Sequence, residues 1–325
     1  MTHDTIKIGF AIEGTYRTAE IDAVGDTWYR FGDYENEMTW KSIAIENAIQ
    51  EYETYNTRKP THVDAGRNFP IWKHTFYPRT PQYAVFMLGK CTDAAPDTFE
   101  PYAVGNTKKS LTIRYENSGG TYDRGIQAVG AYAVEMNCRA AIGDPFSVDL
   151  GFAFSDIEDE GDSCEMLTAS PSYPTGAAEI YDGNPIVTYD HGGSEATLTT
   201  VVMAQWQVSQ KYKVIPDADK QGQKIYLYGF TPVTLTLTAV MDEDTRWNDH
   251  IDRNVKDYAV KVQKPDGDHY IDHIFENCTQ VTEEYSSSPH KGLIEGKLQL
   301  QAEYMTGEFS TDVSDTWTNH FITAA

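Results

Sequence analysis

The chain has 325 residues and carries 49 acidic against 26 basic residues, a formal net charge of -23. That balance argues against clamping nucleic acid by phosphate neutralisation and against docking on anionic membranes, because both need a Lys/Arg surplus. With 40% hydrophobic and 23% charged residues the composition is globular, and the length suits one large or two ordinary domains.

The period-two signal dominates and predicts a mainly β, antiparallel fold. It starts at Ile6, Ile8, Phe10 and Ile12, which alternate with Lys7, Gly9, Ala11 and Glu13. Such a strand buries one face and wets the other. The segment 40–52 is ambiguous: Ile43 and Ile45 suggest a strand, while 46–51 suggests a helix. A strand around 70–77 leads into a short helix at 81–88, with Thr80 as cap, Pro81 at the first helical position and Gly89 as the left-handed stop. This helix is apolar all round and should be buried. Leu111, Ile113 and Tyr115 then alternate with Thr112, Arg114 and Glu116. Val134 to Ala140 follow, and after Asp144 and Pro145 come Phe146, Val148, Leu150, Phe152 and Phe154.

In the second half, Val202, Ala204, Trp206 and Val208 form a strand pattern, as do Val233, Leu235, Leu237 and Ala239. Trp247, Ile251 and Val255 share one stripe of a helix near 245–255. Tyr258, Val260 and Val262 run into a Pro265-Asp266-Gly267 turn, which reads as a hairpin, and Ile294, Leu298, Leu300 and Ala302 close the series. The order of elements repeats, which suggests a duplicated β-sandwich or barrel with one short α-helix per half. The expected units are 1–155 and 185–325, joined by an acidic loop or linker at 156–184; one large sandwich over 1–325 is the alternative.

Chemistry is sparse. No apolar run is long enough for a membrane helix, and the first seven residues lack the basic and apolar regions of a secretory signal. Cys91, Cys138, Cys164 and Cys278 form no CxxC pair and are expected as buried free thiols. Asp156, Glu158 and Glu160, with Gly161 in sixth place, loosely follow a calcium loop, but Leu167 stands where a bidentate Glu is needed. His269 and His273, four apart and each preceded by Asp, are the densest ligand group; they read as polar residues on a strand surface, with metal as the minor reading. Asn277-Cys278-Thr279 is a formal glycosylation sequon. No dinucleotide, phosphate-loop, zinc-protease or serine-hydrolase motif occurs. The expectation is no catalytic residue, no metal and no cofactor. Aromatic richness keeps a carbohydrate- or receptor-binding β-sandwich open.

The phrase Ile8-Gly9-Phe10-Ala11-Ile12-Glu13-Gly14-Thr15-Tyr16-Arg17-Thr18-Ala19 resembles the opening of tail tube proteins of long-tailed bacteriophages and archaeal tailed viruses. Arg17 departs from the Gly usual there. The helix ending in Leu88-Gly89, the strand pair 111–116 and 130–137, and the passage from Leu227-Tyr228-Gly229-Phe230 to the Trp247 helix match in order. The resemblance implies a structural virion protein rather than an enzyme. Its subunits would self-assemble into trimeric pseudo-sixfold or hexameric rings, stacked as a hollow tail tube. Genome ejection would pass viral DNA through the lumen without specific binding, and other tail proteins would meet the tube ends. Assembly would take place in the host cytoplasm, with no membrane involved. Arg58, Lys59 and Pro60 are the expected intersubunit loop, within a long polar stretch 56–68 able to reach the next ring. An acidic lumen, and assembly that strengthens with salt, are the electrostatic expectations.

Overall fold

The computed structural model describes residues 5–16, 32–34, 46–52, 62–68, 71–92, 96–103, 108–118, 124–159, 179–216, 223–240, 254–287 and 294–310. The described chain is mainly β and antiparallel, as its alternation dictates. In chain order the elements are β1 (Thr5–Ile12), β2 (Gly32–Tyr34), β3 (Glu46–Tyr52), β4 (His62–Asn68), β5 (Trp72–Pro78), α1 (Gln82–Leu88), β6 (Gly89–Thr92), β7 (Asp97–Pro101), β8 (Leu111–Ser118), β9 (Arg124–Ala141), β10 (Ser147–Ala153) and β11 (Asp156–Asp159). Then come β12 (Ile186–Tyr189), β13 (Ala196–Leu198), β14 (Val201–Pro216), β15 (Gln223–Phe230), β16 (Val233–Val240), β17 (Lys256–Gln263), β18 (Tyr270–Ser287), β19 (Ile294–Ala302) and β20 (Tyr304–Phe309).

Pairing reveals a repeat that the residues themselves hide. In the first half the ladders run β1–β8–β9–β11 and β2–β5–β10–β9. In the second half they run β12–β17–β18–β20 and β14–β16–β19–β18. Every pairing within these ladders has its counterpart. β9 and β18 play one part: each begins in one sheet and ends in the other. The irregularities recur too. Leu111↔Ala131 jumps to Ile113↔Ala128 in the first half, and Lys256↔Cys278 jumps to Tyr258↔Phe275 in the second. Gly130 and Asn277, each one residue before the end of that jump, are both left-handed, with φ of 64° and 53°. A second bulge follows on each strand, at Val134 and at Val281. A bulge bends its strand and sharpens the twist, which lets one strand serve two sheets.

The halves join edge to edge. The end of β9 pairs with the start of β14 from Met203↔Ala141 to Ser209↔Glu135. The result is one large curled sheet in the order β2–β5–β10–β9–β14–β16–β19–β18. A second seam forms where β20 pairs with β7. One core cluster runs through both halves, with Trp72, Phe76, Phe146, Trp206, Leu237 and Phe275 among its members.

The first helix lies within one residue of its expected span and is buried throughout. Gly89 stops it in the left-handed conformation, and its N–H bonds the Val85 carbonyl. Thr80 does not cap the backbone; its hydroxyl donates to the Gln82 side chain at 3.1 Å. Lys108, 4% exposed, donates its ammonium to the Met87 carbonyl at 2.7 Å, the Ala133 carbonyl at 2.8 Å and Gln210 Oε1 at 3.1 Å. It thus caps the helix C-terminus, where a cation is favoured. Burial holds its pKa well below the ordinary lysine value.

Several expectations change. Residues 46–52 form strand β3 rather than a helix, paired with β4, so 62–68 is strand and not loop. Asp156–Asp159, expected within the acidic linker, is an edge strand on β9. Of the second helix expected near 245–255, residues 245–253 lie outside the described residues; Asn254 and Val255 are not helical. β1 and β8 are covered on both faces: Gly9, Ala11, Thr112 and Arg114 are buried although their alternation predicted wet positions.

Gly307 sits where no side chain fits. An added Cβ would lie 2.2 Å from the Asp272 carbonyl oxygen and 2.3 Å from Phe99 Cζ. Gly307→Ala is expected to cost about 2–3 kcal/mol by overpacking, read as a lower denaturant midpoint with an unchanged slope.

Candidate functional site

The surface that the fold builds with most care is the polar face of the large sheet. Period-two alternation puts apolar side chains on the core side and leaves the odd-numbered residues of β5, β10, β9, β14 and β19 on the other. Register aligns them into rows. One row runs Thr75–Asp149–Asn137–Gln207, and Thr234–Gln301 continue it across β16 and β19. The next runs Ser147–Arg139–Gln205–Thr236–Gln299. These rows floor a shallow depression of about 510 Å³. Its chemistry is hydroxyl and amide, with Arg139 and Asp149 the charged residues among its lining.

Charge on this face is balanced among the described side chains. Lys73 pairs with Glu135 across β5 and β9 at 2.8 Å, and Arg139 pairs with Asp144 at 2.9 Å. Asp149 and Lys297 are the remaining described charges within the paired rows, while Lys211 and Lys213 stand exposed farther along β14. Both pairs are substantially exposed, so each is worth about 0–1 kcal/mol. Trp206 borders the depression, but its ring points inward and is 2% exposed. Among the described residues no aromatic ring offers a stacking platform there. The exposed aromatics Tyr226 and Tyr228 stand instead on β15.

The sheet's two ends form the other half of the site. β2 pairs only with β5 among the described strands, and the segment of β18 from Thr279 to Ser287 pairs only with β19. An unpaired edge presents a row of backbone donors and acceptors to another chain.

No protein-family model matches the chain, and no curated protein matches it.

Among the described residues, those weighed as metal ligands do not converge. Asp156 opens β11 and accepts the Ile157 N–H at 2.9 Å. Glu158 lies on β11, and Glu160 lies outside the described residues. His269 precedes β18 in the turn, its ring nitrogen 2.5 Å from Asp266. His273, expected on the strand surface, is fully buried. Its Nε2 meets the Tyr83 hydroxyl at 2.8 Å, its Nδ1 meets the Val260 carbonyl at 3.2 Å, and Trp206 packs 4.6 Å away centroid to centroid. Both ring nitrogens are therefore used within the core. Parity explains the move: Ile271, His273 and Phe275 share the core face of β18. Arg58, Lys59 and Pro60 lie outside the described residues. Asn277 is exposed, and its side-chain amide donates to Glu303 at 2.8 Å. Cys91, Cys138 and Cys278 are buried free thiols; Cys164 lies outside the described residues.

The opening phrase carries structural weight that alternation concealed. Glu13 is 2% exposed and accepts from Ser110 Oγ at 2.6 Å, Thr112 Oγ1 at 3.0 Å and the Gly130 N–H at 2.7 Å. It therefore ties the end of β1 to β8 and to the left-handed residue of β9. Tyr16 bonds Ser155 Oγ at 2.6 Å, accepts the Ile225 N–H at 3.0 Å and stacks on Tyr132. The clue in the sequence was a carboxylate placed directly after an alternating strand.

Proposed function

We propose that the chain is a structural tail tube subunit of a long-tailed virus, which assembles into rings that stack around a lumen. The observation that carries this reading is the large sheet: two equivalent four-stranded halves, joined side by side, with both end strands unpaired on their outer side among the described residues. A repeated unit meeting itself by one rotation closes into a ring when that rotation closes. Two repeats per chain favour three copies around a pseudo-sixfold axis over six. The tail resemblance of the opening phrase supports the same assignment.

In this reading the polar face lines the conduit. Over the paired rows its amides and hydroxyls are neutral and its described charges cancel, which favours a neutral, hydrated lumen over the acidic one expected from the net charge. A duplex would find no lysine or arginine surplus to bind and no apolar surface to wet. The formal charge of -23 is then carried elsewhere on the subunit, where it opposes association until salt screens it. The Debye length is about 8 Å at physiological salt and about 3 Å at 1 M. Assembly should accordingly strengthen as salt rises. Negative-stain electron microscopy with light scattering, at low and high salt, tests this. Rings or tubes with a central hole are expected, more abundant in high salt. A uniform monomer at every salt and concentration would overturn the reading, and retention on a glycan column would then favour a ligand-binding sandwich.

A further inference from the structure

The acidic character of the chain reverses in one place. From Gln210 onward, β14 leaves β9 and β16 and pairs with β15 alone among the described strands, as a two-stranded ribbon. Alternation gives the ribbon two faces. Tyr212, Ile225 and Leu227 pack on one side with Tyr132 and Val134. Lys211, Lys213, Ile215, Lys224, Tyr226 and Tyr228 occupy the other side, and all six are exposed. Neither strand contains an Asp or a Glu, in a chain of net charge -23. We propose that this face of the ribbon binds single-stranded nucleic acid, with its lysines on the phosphates and Tyr226 and Tyr228 stacked on bases.

Three observations carry this. The first is the pair of rings. Tyr226 and Tyr228 are 51% and 65% exposed, and no other aromatic among the described residues is exposed. Two positions apart on one strand, their Cα atoms are about 6–7 Å apart, about twice the ~3.4 Å step of bases along a stacked strand. Each ring can therefore meet one base of a stretched single strand, whereas a duplex keeps its base faces closed. The second is register. Lys213 stands directly across from Tyr226, and Lys224 across from Ile215. Cations thus flank the rings from both strands, as a backbone running beside its stacked bases requires. The third is that the platform is preformed. Lys211↔Gly229 jumps to Tyr212↔Leu227, which leaves Tyr228 as the extra residue of a bulge, and Gly229 accommodates it with a φ of 130°. A bulge re-aims a side chain, and here it turns out the more exposed of the two rings. Ile225 N–H donates to the Tyr16 hydroxyl at 3.0 Å, and Thr231 N–H donates to the Ser209 carbonyl at 2.9 Å, so the ribbon is pinned from behind and at its base. Little order remains to be lost on binding. The sequence between the strands, Asp217-Ala218-Asp219-Lys220-Gln221-Gly222, carries two acids and no large apolar residue, which does not suit insertion into a lipid surface.

This inference stands on the ribbon and does not need the tail reading. Fluorescence anisotropy of a fluorescein-labelled oligothymidylate, titrated with the full chain at low salt, tests it. Binding is expected, and log Kd should rise against log salt with a slope of about 2, because each of three lysines contributes about 0.7 on a single strand. Tyr226→Ala and Tyr228→Ala should each weaken binding by about fivefold or more, and Lys213→Gln should lower the slope by about 0.7. All three side chains are exposed, so the variants should keep the circular dichroism and melting curve of the wild type. Tyr228→Leu keeps an apolar side chain without the ring, and should weaken binding as Tyr228→Ala does. A duplex of the same length should bind less, and polyglutamate should not displace the oligonucleotide. No binding at low salt would overturn the proposal, as would full affinity in a folded chain that carries both Tyr226→Ala and Tyr228→Ala. Displacement by polyglutamate as readily as by unlabelled oligothymidylate would make the face a site for acidic peptides and overturn it too. Tubes that bind no oligonucleotide would sink this proposal and keep the tube. A chain that stays monomeric at every salt and binds the oligonucleotide would sink the tube and keep this proposal.

Discussion

Glu13→Ala should lower the melting temperature by roughly 4–5 °C. The Glu13 carboxylate accepts from two hydroxyls and one backbone N–H inside the protein. Hydrogen bonds to a charged group are worth about 1.5–3 kcal/mol each, and a donor left unmatched in the interior costs about 1–3 kcal/mol. Against this stands the desolvation of the carboxylate, which alanine relieves. The net loss is about 3 kcal/mol. Ser110 and Thr112 can turn their hydroxyls elsewhere, but the Gly130 N–H is fixed by a left-handed backbone. Glu13→Gln keeps one good acceptor and should lose about half as much. Thermal melts followed by circular dichroism measure both. A Glu13→Ala shift below about 2 °C would mean that the carboxylate merely fills space. If the chain assembles as proposed, the effect should reach assembly too, because Gly130 marks the start of the bend that carries β9 into the large sheet.

The second large effect is acid lability. His74 and His273 are buried among aromatic rings, and burial holds each pKa down at about 3 from the usual 6.5. The unfolded chain binds protons on these histidines from about pH 6.5 downward, while the folded chain does not until about pH 3. Between those values the unfolded state holds more protons, so stability falls as pH falls. Above pH 6.5 the contribution is fully present. Each histidine can supply on the order of 4 kcal/mol across that window. Denaturant midpoints should drop steeply from pH 7 to pH 4.5. His273→Gln keeps a partner for the Tyr83 hydroxyl but cannot titrate. It should be weaker than wild type at pH 7, having lost its packing on Trp206 and Phe146, and should shed about half of the acid slope. Comparing slopes cancels the self-repulsion of the acidic surface, which both proteins share. An unchanged slope would show that His273 is protonated without cost in the fold.

How much of this was legible beforehand depended on whether a strand had one wet face. β16 was plain, because Val233, Leu235, Leu237 and Ala239 face the core while the intervening threonines face out. β1 and β8 are covered on both sides, so their small and polar residues imitated exposure: Arg114 is fully buried with its guanidinium on Gln127 at 2.8 Å. β11 is spelled Asp-Ile-Glu-Asp and looked like a loop; backbone pairing to β9 makes it a strand, and backbone groups leave no trace in side-chain chemistry. Element order suggested a repeat; the matched pairing of the ladders could not be read there, because a ladder is kept by parity and bulge position while the residues drift. The polar face could not be assembled from the sequence, since its rows cross five or six strands and exist only once register is known.

The matched bulges also tell where the two halves were free to diverge. The β3–β4 hairpin belongs to the first half, and the β14–β15 ribbon, with Tyr226 and Tyr228 exposed, belongs to the second. Insertions were accepted in the connections and refused in the ladders. In the ring proposed above, single repeats would wear the same ornaments at every position. Two repeats fused into one chain would let ornaments alternate around the circumference, so the outside would take on threefold character while the inner wall kept a sixfold one. Parts with different symmetries could then be attached to a single tube.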